Sequence, residues 1–212
     1  MKKYDVKRSR RRNIFAWLLS LVMMGAGVAL IGAFFLEGSH STATNSADPG
    51  GFNVPKLQPA QDGGVLTGPK DKTLKLTIPA MDRIKDDEIP NTTGTDEEAL
   101  KTHAAIHLKG TGFPWQEEAN VYIAGHRLGF PNTESFLTFW DLDDVKKGDK
   151  IYITDSNGTK YTYEVFKEVT VSPSDLSVTD TIPGKNIVTL QTCTLPDYSQ
   201  RLIVQAELIK TE

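Results

Sequence analysis

The sequence predicts a mainly β protein, in which one closed or nearly closed antiparallel β-barrel with short connecting helices follows a single N-terminal transmembrane helix. Short runs of β-branched and apolar residues, separated by turn signals, recur along the last two thirds of the chain. Helical patterns between these runs are brief. Residues 14–36, in contrast, contain no charged residue at all. This combination is typical of a tethered all-β domain.

The N-terminus predicts a cytoplasmic tail (1–13) and a membrane anchor (14–36). Positions 1–12 carry seven basic residues and one acidic residue, a composition typical of the cytoplasmic flank of a membrane helix. The 23 residues of the anchor, at 1.5 Å rise each, can cross a hydrocarbon core of about 30 Å. The alternative is a cleaved signal peptide, whose apolar region usually has about 7–15 residues. We therefore expect a single-pass protein of the cell membrane, with its C-terminal domain outside the cell.

Residues 37–72 predict a flexible linker, and residues 73–212 predict one domain. The linker is rich in proline, glycine and small polar residues. As a coil it would span on the order of 30 Å. The remaining length is that of one ordinary domain.

The charge distribution excludes nucleic acid as a partner. Without its first 12 residues the chain has 17 basic and 26 acidic residues, a net charge of −9. No basic cluster interrupts this acidic background, and polyanions bind to basic surfaces. The chain has one cysteine, so it cannot form an intrachain disulfide.

The domain begins with alternating residues from Leu74 to Pro79, which predict a first strand. Thr95 and Glu98 have the spacing of a capping box, which predicts a short helix through about His103. His103 and His107 are four positions apart, a spacing that can bind zinc on a continuous helix, but no third ligand is apparent. We expect these histidines to serve packing or the surface.

Further along the chain, Asn157-Gly158 predicts a hairpin between the strands 151–154 and 159–171. The aromatic segment 136–142 predicts either a turn that packs in the core or a wall for a peptide ligand. Glu117 and Glu118 are interpreted as solvated acids, because calcium needs six or more oxygen ligands. We predict no required metal and no cofactor. A loop from Ser172 to Asn186 is long enough to be functional.

The only cysteine of the chain, Cys193, ends a predicted strand that begins at Val188. Arg201 opens the next strand, so the two residues would face each other across a strand–loop–strand unit. A guanidinium beside a thiol favours the thiolate and can hydrogen-bond an oxyanion. The alternative is an inert core cysteine, since cysteine without a disulfide is often buried.

His126 strengthens the catalytic interpretation. It lies in Ala124-Gly125-His126-Arg127, at the end of an apolar run that begins at Val121. A cysteine, a histidine and an arginine can provide a nucleophile, an acid/base group and a donor to an oxyanion.

With these motifs the sequence resembles the sortases, membrane-anchored cysteine transpeptidases of Gram-positive bacteria. Thr189-Leu190-Gln191-Thr192-Cys193 and Arg201 match the family's Thr-Leu-X-Thr-Cys motif and its following arginine, and residues 124–127 match its histidine strand. The resemblance extends from about Leu74 to Leu208. It implies an eight-stranded sortase barrel, in which the loop before the cysteine strand lies over the substrate groove.

The resemblance also implies a mechanism and partners. Cys193 attacks the threonine carbonyl of a Leu-Pro-X-Thr-Gly-like sorting signal, His126 protonates the departing glycine amine, and Arg201 stabilises the oxyanion. Thr192 and Arg127 are expected to contact the substrate. The implied partners are secreted proteins with C-terminal sorting signals and an amine acceptor, from a peptidoglycan precursor or a pilin lysine.

The class within the family stays open. The chain resembles class D or E sortases, and no Asp-Pro-Trp lid motif of a pilin polymerase precedes Leu74. However, Leu128-Gly129-Phe130 stands where class E sequences tend to have a tyrosine. The order of histidine, cysteine and arginine disfavours wall L,D-transpeptidases and papain-like peptidases. The remaining rival is a non-enzymatic tethered β-domain with a buried, inert cysteine.

Overall fold

The computed structural model describes residues 68–212. The predicted tail (1–13), the predicted anchor (14–36) and most of the predicted linker lie outside these residues. From residue 68 to the C-terminus, no helix has the length and apolar character needed to span a membrane.

The described residues form nine strands and three short helical segments. The strands are β1 (Leu74–Thr77), β2 (Asp87–Ile89), β3 (Asn91–Thr92), β4 (Ala105–Leu108), β5 (Ala119–Gly125), β6 (Lys150–Thr154), β7 (Lys160–Val171), β8 (Asn186–Cys193) and β9 (Arg201–Thr211). One α-helix, α1 (Glu97–Thr102), and two 3₁₀ turns, Leu142–Asp144 and Leu176–Thr179, lie between them.

All nine strands belong to one sheet, in the order β2-β1-β6-β7-β9-β8-β5-β4-β3. β2, at one edge, contacts β4, which is next to the other edge. The sheet therefore curves into a nearly closed barrel, so the prediction of a mainly β barrel is confirmed. The strand number exceeds the eight implied by the resemblance, and the extra pairing involves very short strands such as the two-residue β3.

The prediction of a fully antiparallel sheet is wrong at two pairs. β5 pairs with β8 in parallel, and β3 pairs with β4 in parallel. In the strand order, the β6–β7 hairpin lies beyond β9 from β8. After this hairpin the chain returns through residues 172–185 and enters β8 beside β5. A long connection of this kind is what a parallel pair requires.

The two faces of the sheet are covered by two apolar clusters. The inner cluster fills the barrel and includes Val121 and Ile123 of β5, Val188 and Leu190 of β8, and Val204 of β9. The outer cluster packs on the other face. Its buried members are Ala99, Leu100, Ile106, Leu108, Tyr122, Ala124, Val178 and Ile203. β5 and β8 are buried along their whole length, including polar side chains such as Asn120 and Gln191.

The helix forms where it was predicted, but its cap differs. Asp96, rather than Thr95, is the N-cap, and its carboxylate accepts the amide hydrogen of Ala99 at 3.0 Å. The hydroxyl of Thr95 instead bonds to that of Thr93. A carboxylate at this position also stabilises the positive end of the helix dipole.

The helix ends at Thr102, so His103 and His107 do not share a helix. His107 lies in β4 and is fully buried. Its Nδ1 is 3.0 Å from the side-chain nitrogen Nδ2 of Asn91, and its Nε2 is 2.9 Å from the backbone carbonyl oxygen of Gly112. It therefore packs as a hydrogen-bonded core residue. Within residues 68–212 no group of three His, Cys, Asp or Glu side chains is arranged to hold a metal ion.

The hairpin around Asn157-Gly158 is confirmed. β6 and β7 pair in antiparallel register, and Gly158 has a φ of 87°. The carboxylate of Asp155 accepts the amide hydrogens of Asn157 and Thr159, which closes the turn.

Candidate active site

The cysteine and the arginine lie directly opposite each other at one end of the β8–β9 pair. Cys193 and Arg201 are Cα partners in this antiparallel register. Cys193 is 1% exposed and Arg201 is 2% exposed. The seven-residue loop that joins the strands therefore returns the chain so that the two side chains become neighbours.

The parallel pairing of β5 with β8 brings the histidine to the same end. The last paired residues of these two strands are Ala124 and Gln191. His126 and Cys193 each follow two positions later, so continuing the register places them level with one another. Adjacent strands are about 4.8 Å apart. The three predicted catalytic residues thus lie at one edge of the barrel, His126 directly after β5, Cys193 at the end of β8 and Arg201 at the start of β9.

Side-chain alternation puts all three on the outer face of the sheet. Ala124 and Ile203 belong to the outer cluster, and His126 and Arg201 lie two positions from them along their strands. Side chains two positions apart in a strand share a face. Val178, from the loop before β8, belongs to the same outer cluster. The side chains of His126, Cys193 and Arg201 are all buried.

His126 is held from both its backbone and its ring. Its carbonyl oxygen accepts the amide hydrogen of Phe139 at 3.1 Å. Its ring meets that of Phe130 edge to face, with centroids 5.5 Å apart. The preceding glycine, Gly125, is needed for close packing, because a Cβ there would lie 2.9 Å from the Phe139 ring and 3.1 Å from the Ala104 carbonyl oxygen.

Arg201 is oriented by backbone carbonyl groups of the β8–β9 loop. Its Nη1 donates to the oxygen of Tyr198 at 3.0 Å and to that of Gln200 at 2.9 Å. A guanidinium is planar and carries its donors in fixed directions. Two acceptors on one nitrogen therefore determine how the whole group is presented at the site.

Tyr122 and Gln191 form a buried polar pair on the outer face of the sheet, which the sequence did not predict. The hydroxyl of Tyr122 donates to Oε1 of Gln191, and both side chains are buried. Burial raises the pKa of Tyr122 above its usual range, so the tyrosine is a neutral donor. The available signal was spacing, because Gln191 lies two positions before Cys193 and therefore shares its face.

Thr192 lies on the other face of the sheet from Cys193. Its Cα partner is Leu202, a member of the inner cluster. Its hydroxyl is buried and has no hydrogen-bond partner among the described residues. The structure therefore places Thr192 in the barrel interior, and its predicted contact with substrate stays a prediction.

Arg127 is bound to its own neighbours. Its Nη2 donates to the carboxylate of Asp143 at 2.8 Å, and its guanidinium carbon lies 5.9 Å from the Trp140 ring centroid. The arginine side chain is 6% exposed, whereas that of Asp143 is 55% exposed. A substrate role for Arg127 stays a prediction, while its link between the histidine strand and the 3₁₀ turn is observed.

The aromatic segment after the histidine serves the core and also the surface. Phe139 and Leu142 are fully buried in the inner cluster. Phe136 and Trp140 are 39% and 37% exposed. The interpretation as a core-packing turn is confirmed for Phe139 and Leu142, and a peptide wall formed by Phe136 and Trp140 stays a prediction.

The loop before β8 is attached to β5 and to the loop that precedes β5. Nδ2 of Asn120 donates to the carbonyl oxygens of Val178 and Asp180, at 3.0 and 2.9 Å. The carboxylate of Glu118 accepts the amide hydrogen of Gly184 at 2.7 Å and the hydroxyl of Thr181 at 3.2 Å. Glu118 thus has structural partners in this loop.

The barrel and its edge site define the class of protein, one with a cysteine, a histidine and an arginine on adjacent strands. A family model described as the sortase domain matches residues 76–209. The chain belongs to the sortase family.

Named relatives agree with this assignment. The chain is 40% identical over 92 residues to Sortase A of Streptococcus agalactiae, covering 43% of this chain and 37% of the relative. It is 34% identical over 143 residues to Sortase A of Bacillus anthracis, covering 65% of this chain and 60% of the relative. The chain therefore spans less than two thirds of the length of these curated relatives.

Solved structures show the same fold. Sortase C of Streptococcus pneumoniae has a TM-score of 0.56 at 33% identity, covering 68% of this chain and 73% of that one. A lid mutant of Sortase A from Corynebacterium diphtheriae has a TM-score of 0.56 at 32% identity, covering 66% of this chain and 71% of that one.

Proposed function

We propose that this protein is a cysteine transpeptidase, which cleaves a Leu-Pro-X-Thr-Gly-like sorting signal between threonine and glycine and transfers the acyl group to an amine. The observation that carries the proposal is the convergence of His126, Cys193 and Arg201 at the ends of three adjacent strands, at one barrel edge. A merely structural cysteine would need neither an acid/base group nor a buried guanidinium beside it.

In the first half of the reaction, the Cys193 thiolate attacks the threonine carbonyl carbon. His126, as imidazolium, gives its proton to the nitrogen of the departing glycine as the C–N bond breaks. The product is a thioester between Cys193 and the substrate. The departing peptide leaves as a neutral amine, and His126 is left neutral.

Arg201 stabilises the negative charge that develops on the carbonyl oxygen. Its guanidinium is buried and already held by two carbonyl groups, so it need not reorganise during the reaction. Fixed donors in a site that excludes water are worth more than the same donors in bulk water.

In the second half, an acceptor amine attacks the thioester. Neutral His126 takes a proton from this amine, Cys193 departs as thiolate, and the starting charge state is restored. Water in place of the amine would release the acid and make the protein a slow protease.

The proposed acceptors are an amine of a peptidoglycan precursor and a lysine of a pilin subunit. The first follows from the resemblance of residues 189–193 and Arg201 to the sortase motifs. The second is supported by the similar Sortase C of Streptococcus pneumoniae, which is described in terms of its pilin substrate specificity. Secreted proteins with C-terminal sorting signals are the proposed acyl donors.

We place the protein in the cell membrane as a single-pass protein, with its catalytic domain outside. The uncharged segment 14–36 and the basic residues before it support this location. An anchored domain on a short linker would meet secreted substrates and lipid-linked wall precursors at the same surface. This geometry fits the proposed reaction.

The decisive experiment supplies the full-length chain with fluorogenic Leu-Pro-X-Thr-Gly and Leu-Ala-X-Thr-Gly peptides, with and without an added amine. We expect cleavage between threonine and glycine, diversion to a ligated product when the amine is present, and loss of both in Cys193→Ala. If neither peptide is cleaved and Cys193 resists alkylation in the folded protein, the non-enzymatic tethered domain is the better description.

A further inference from the structure

In the loop between β8 and β9, residues 194–200, Thr194 makes the hydrogen bonds that join the two ends of the loop. Thr194 and Gln200 are the next pair after Cys193 and Arg201, and the amide of Thr194 donates to the carbonyl oxygen of Gln200 at 3.0 Å. The reciprocal backbone bond is missing, because the carbonyl oxygen of Thr194 accepts the amide hydrogen of Tyr198 at 3.1 Å. The amide of Gln200 instead donates to the hydroxyl oxygen of Thr194 at 3.2 Å.

The hydroxyl of Thr194 therefore replaces a strand hydrogen bond at the point where the sheet ends. It accepts from the Gln200 amide and lies 3.4 Å from the Gln200 carbonyl oxygen. A threonine hydroxyl can accept and donate at once. The backbone N–H and the backbone carbonyl group of Gln200 therefore both contact the hydroxyl of Thr194.

The same carbonyl group of Gln200 orients the arginine. Nη1 of Arg201 lies 2.9 Å from it and 3.0 Å from the carbonyl oxygen of Tyr198. Tyr198 has a φ of 57°, a left-handed conformation that a tyrosine rarely adopts. Its amide donates to the backbone carbonyl oxygen of Thr194, so Thr194 contacts both residues whose carbonyl groups bind Arg201, Tyr198 through its backbone and Gln200 also through its hydroxyl.

We propose that Thr194 is a positioning residue for the transfer reaction: its hydroxyl holds the Gln200 backbone, whose carbonyl group, together with that of Tyr198, keeps the Arg201 guanidinium level with Cys193. The proposal rests on the proposed function and adds to it a residue that does not touch the substrate. Small displacements of groups that stabilise a transition state have large effects on rate, whereas an exposed hydroxyl contributes little to folding because water can replace it.

The test compares Thr194→Val, which keeps the shape but removes the hydroxyl, with Thr194→Ser, which keeps the hydroxyl. Thr211→Val, at the exposed far end of β9, is the matched control. In full-length protein we expect Thr194→Val to lower kcat for peptide cleavage by about 10- to 100-fold, with little change in KM or in the thermal midpoint. Thr194→Ser should regain most of the lost rate, and Thr211→Val should behave as the wild type.

The proposal is overturned if Thr194→Val keeps the wild-type kcat, or if serine restores no more rate than valine does. The proposal is also overturned if kcat falls in proportion to the thermal midpoint across all variants, because that pattern indicates a purely structural role.

A second measurement separates this proposal from the proposed function. The rate of Cys193 alkylation by iodoacetamide is followed between about pH 5 and pH 9, a range that covers most thiol titrations. We expect the alkylation profile of Thr194→Val to move to higher pH, because a displaced guanidinium stabilises the thiolate less than it does in the wild type. A wild type that cleaves no peptide would refute the proposed function, whereas coincident alkylation profiles would refute the positioning role.

Discussion

His126 and Cys193 lie at equal distances beyond the last paired residues of two parallel strands. Ala124 of β5 pairs with Gln191 of β8, and each site residue follows two positions later. Because parallel strands end at the same edge of a sheet, this register brings together residues that are 67 positions apart in the sequence. Cys193 in turn pairs with Arg201 on β9, so β8 is the strand that connects all three groups.

Arg201→Lys should lower kcat strongly although the charge is kept. A lysine has a single ammonium group and cannot reproduce the planar set of donors that two carbonyl groups hold at 2.9 and 3.0 Å. Loss of an oxyanion donor typically costs about 100- to 1000-fold in kcat, and we expect this range in single-turnover cleavage of the peptide. Arg83→Lys is the control, since Arg83 is 48% exposed and its ion pair with Asp141 spans 3.7 Å. Equal rates for Arg201→Lys and the wild type would exclude an oxyanion role.

Asn120→Ala should loosen the loop before β8. The substitution removes both hydrogen bonds to the carbonyl groups of Val178 and Asp180, each worth about 0.5–1.5 kcal/mol. We expect faster amide hydrogen exchange in residues 172–185, because two carbonyl groups of this loop lose their donor. Asn157→Ala, in the exposed turn of the β6–β7 hairpin, is the control and should leave this loop unaffected. Unchanged exchange in the loop would show that Val178 packing and the hydrogen bonds to Glu118 are enough to hold it.

Gly125→Ala should destabilise the protein through a contact with Phe139. An added Cβ would lie 2.9 Å from this ring, and overpacking of a core typically costs about 1–3 kcal/mol. Combining it with Phe139→Leu should relieve part of this cost, so that urea unfolding of the four proteins gives a favourable coupling energy. Strictly additive effects would argue against the contact as the cause. Activity should fall as well, since Phe139 also binds the carbonyl group of His126.

His107 should make the folded state sensitive to acid. Burial lowers the pKa of His107 from 6.5 to about 4, because the charged form loses its hydration. Its contribution to stability is therefore fully present above the unfolded-state pKa and is lost as the pH falls from about 6.5 towards 4. From this shift, about 2 kcal/mol of the unfolding free energy should be lost between about pH 7 and pH 5.

The control for this prediction is His107→Gln, which has polar groups but does not titrate. Urea unfolding at both pH values should show a clearly smaller pH dependence in the variant than in the wild type. Parallel profiles for the two proteins would assign the acid sensitivity to other groups.

Local sequence patterns predicted much of the fold. The runs at 74–79, 121–124, 188–193 and 202–208 all contain strands, and the Asn157-Gly158 hairpin forms as expected. These features are encoded by neighbouring residues, through side-chain alternation and through the freedom of glycine to take a positive φ. The helix cap was misassigned by one position, because Thr95 and Asp96 are both good caps and contacts with Thr92 and Thr93 favour the aspartate.

The sequence by itself determined the candidate catalytic residues: one cysteine, a histidine at a strand end and an arginine at a strand start. Only the tertiary structure decided that β5 and β8 run in parallel, that Thr192 faces the barrel interior, and that Tyr122 and Gln191 lie on the same face as Cys193. These facts depend on pairing between distant segments, whose register no local pattern specifies. The physical reason is that a strand forms because of its own residues, whereas the strands it pairs with depend on which arrangement buries the apolar residues of the whole domain.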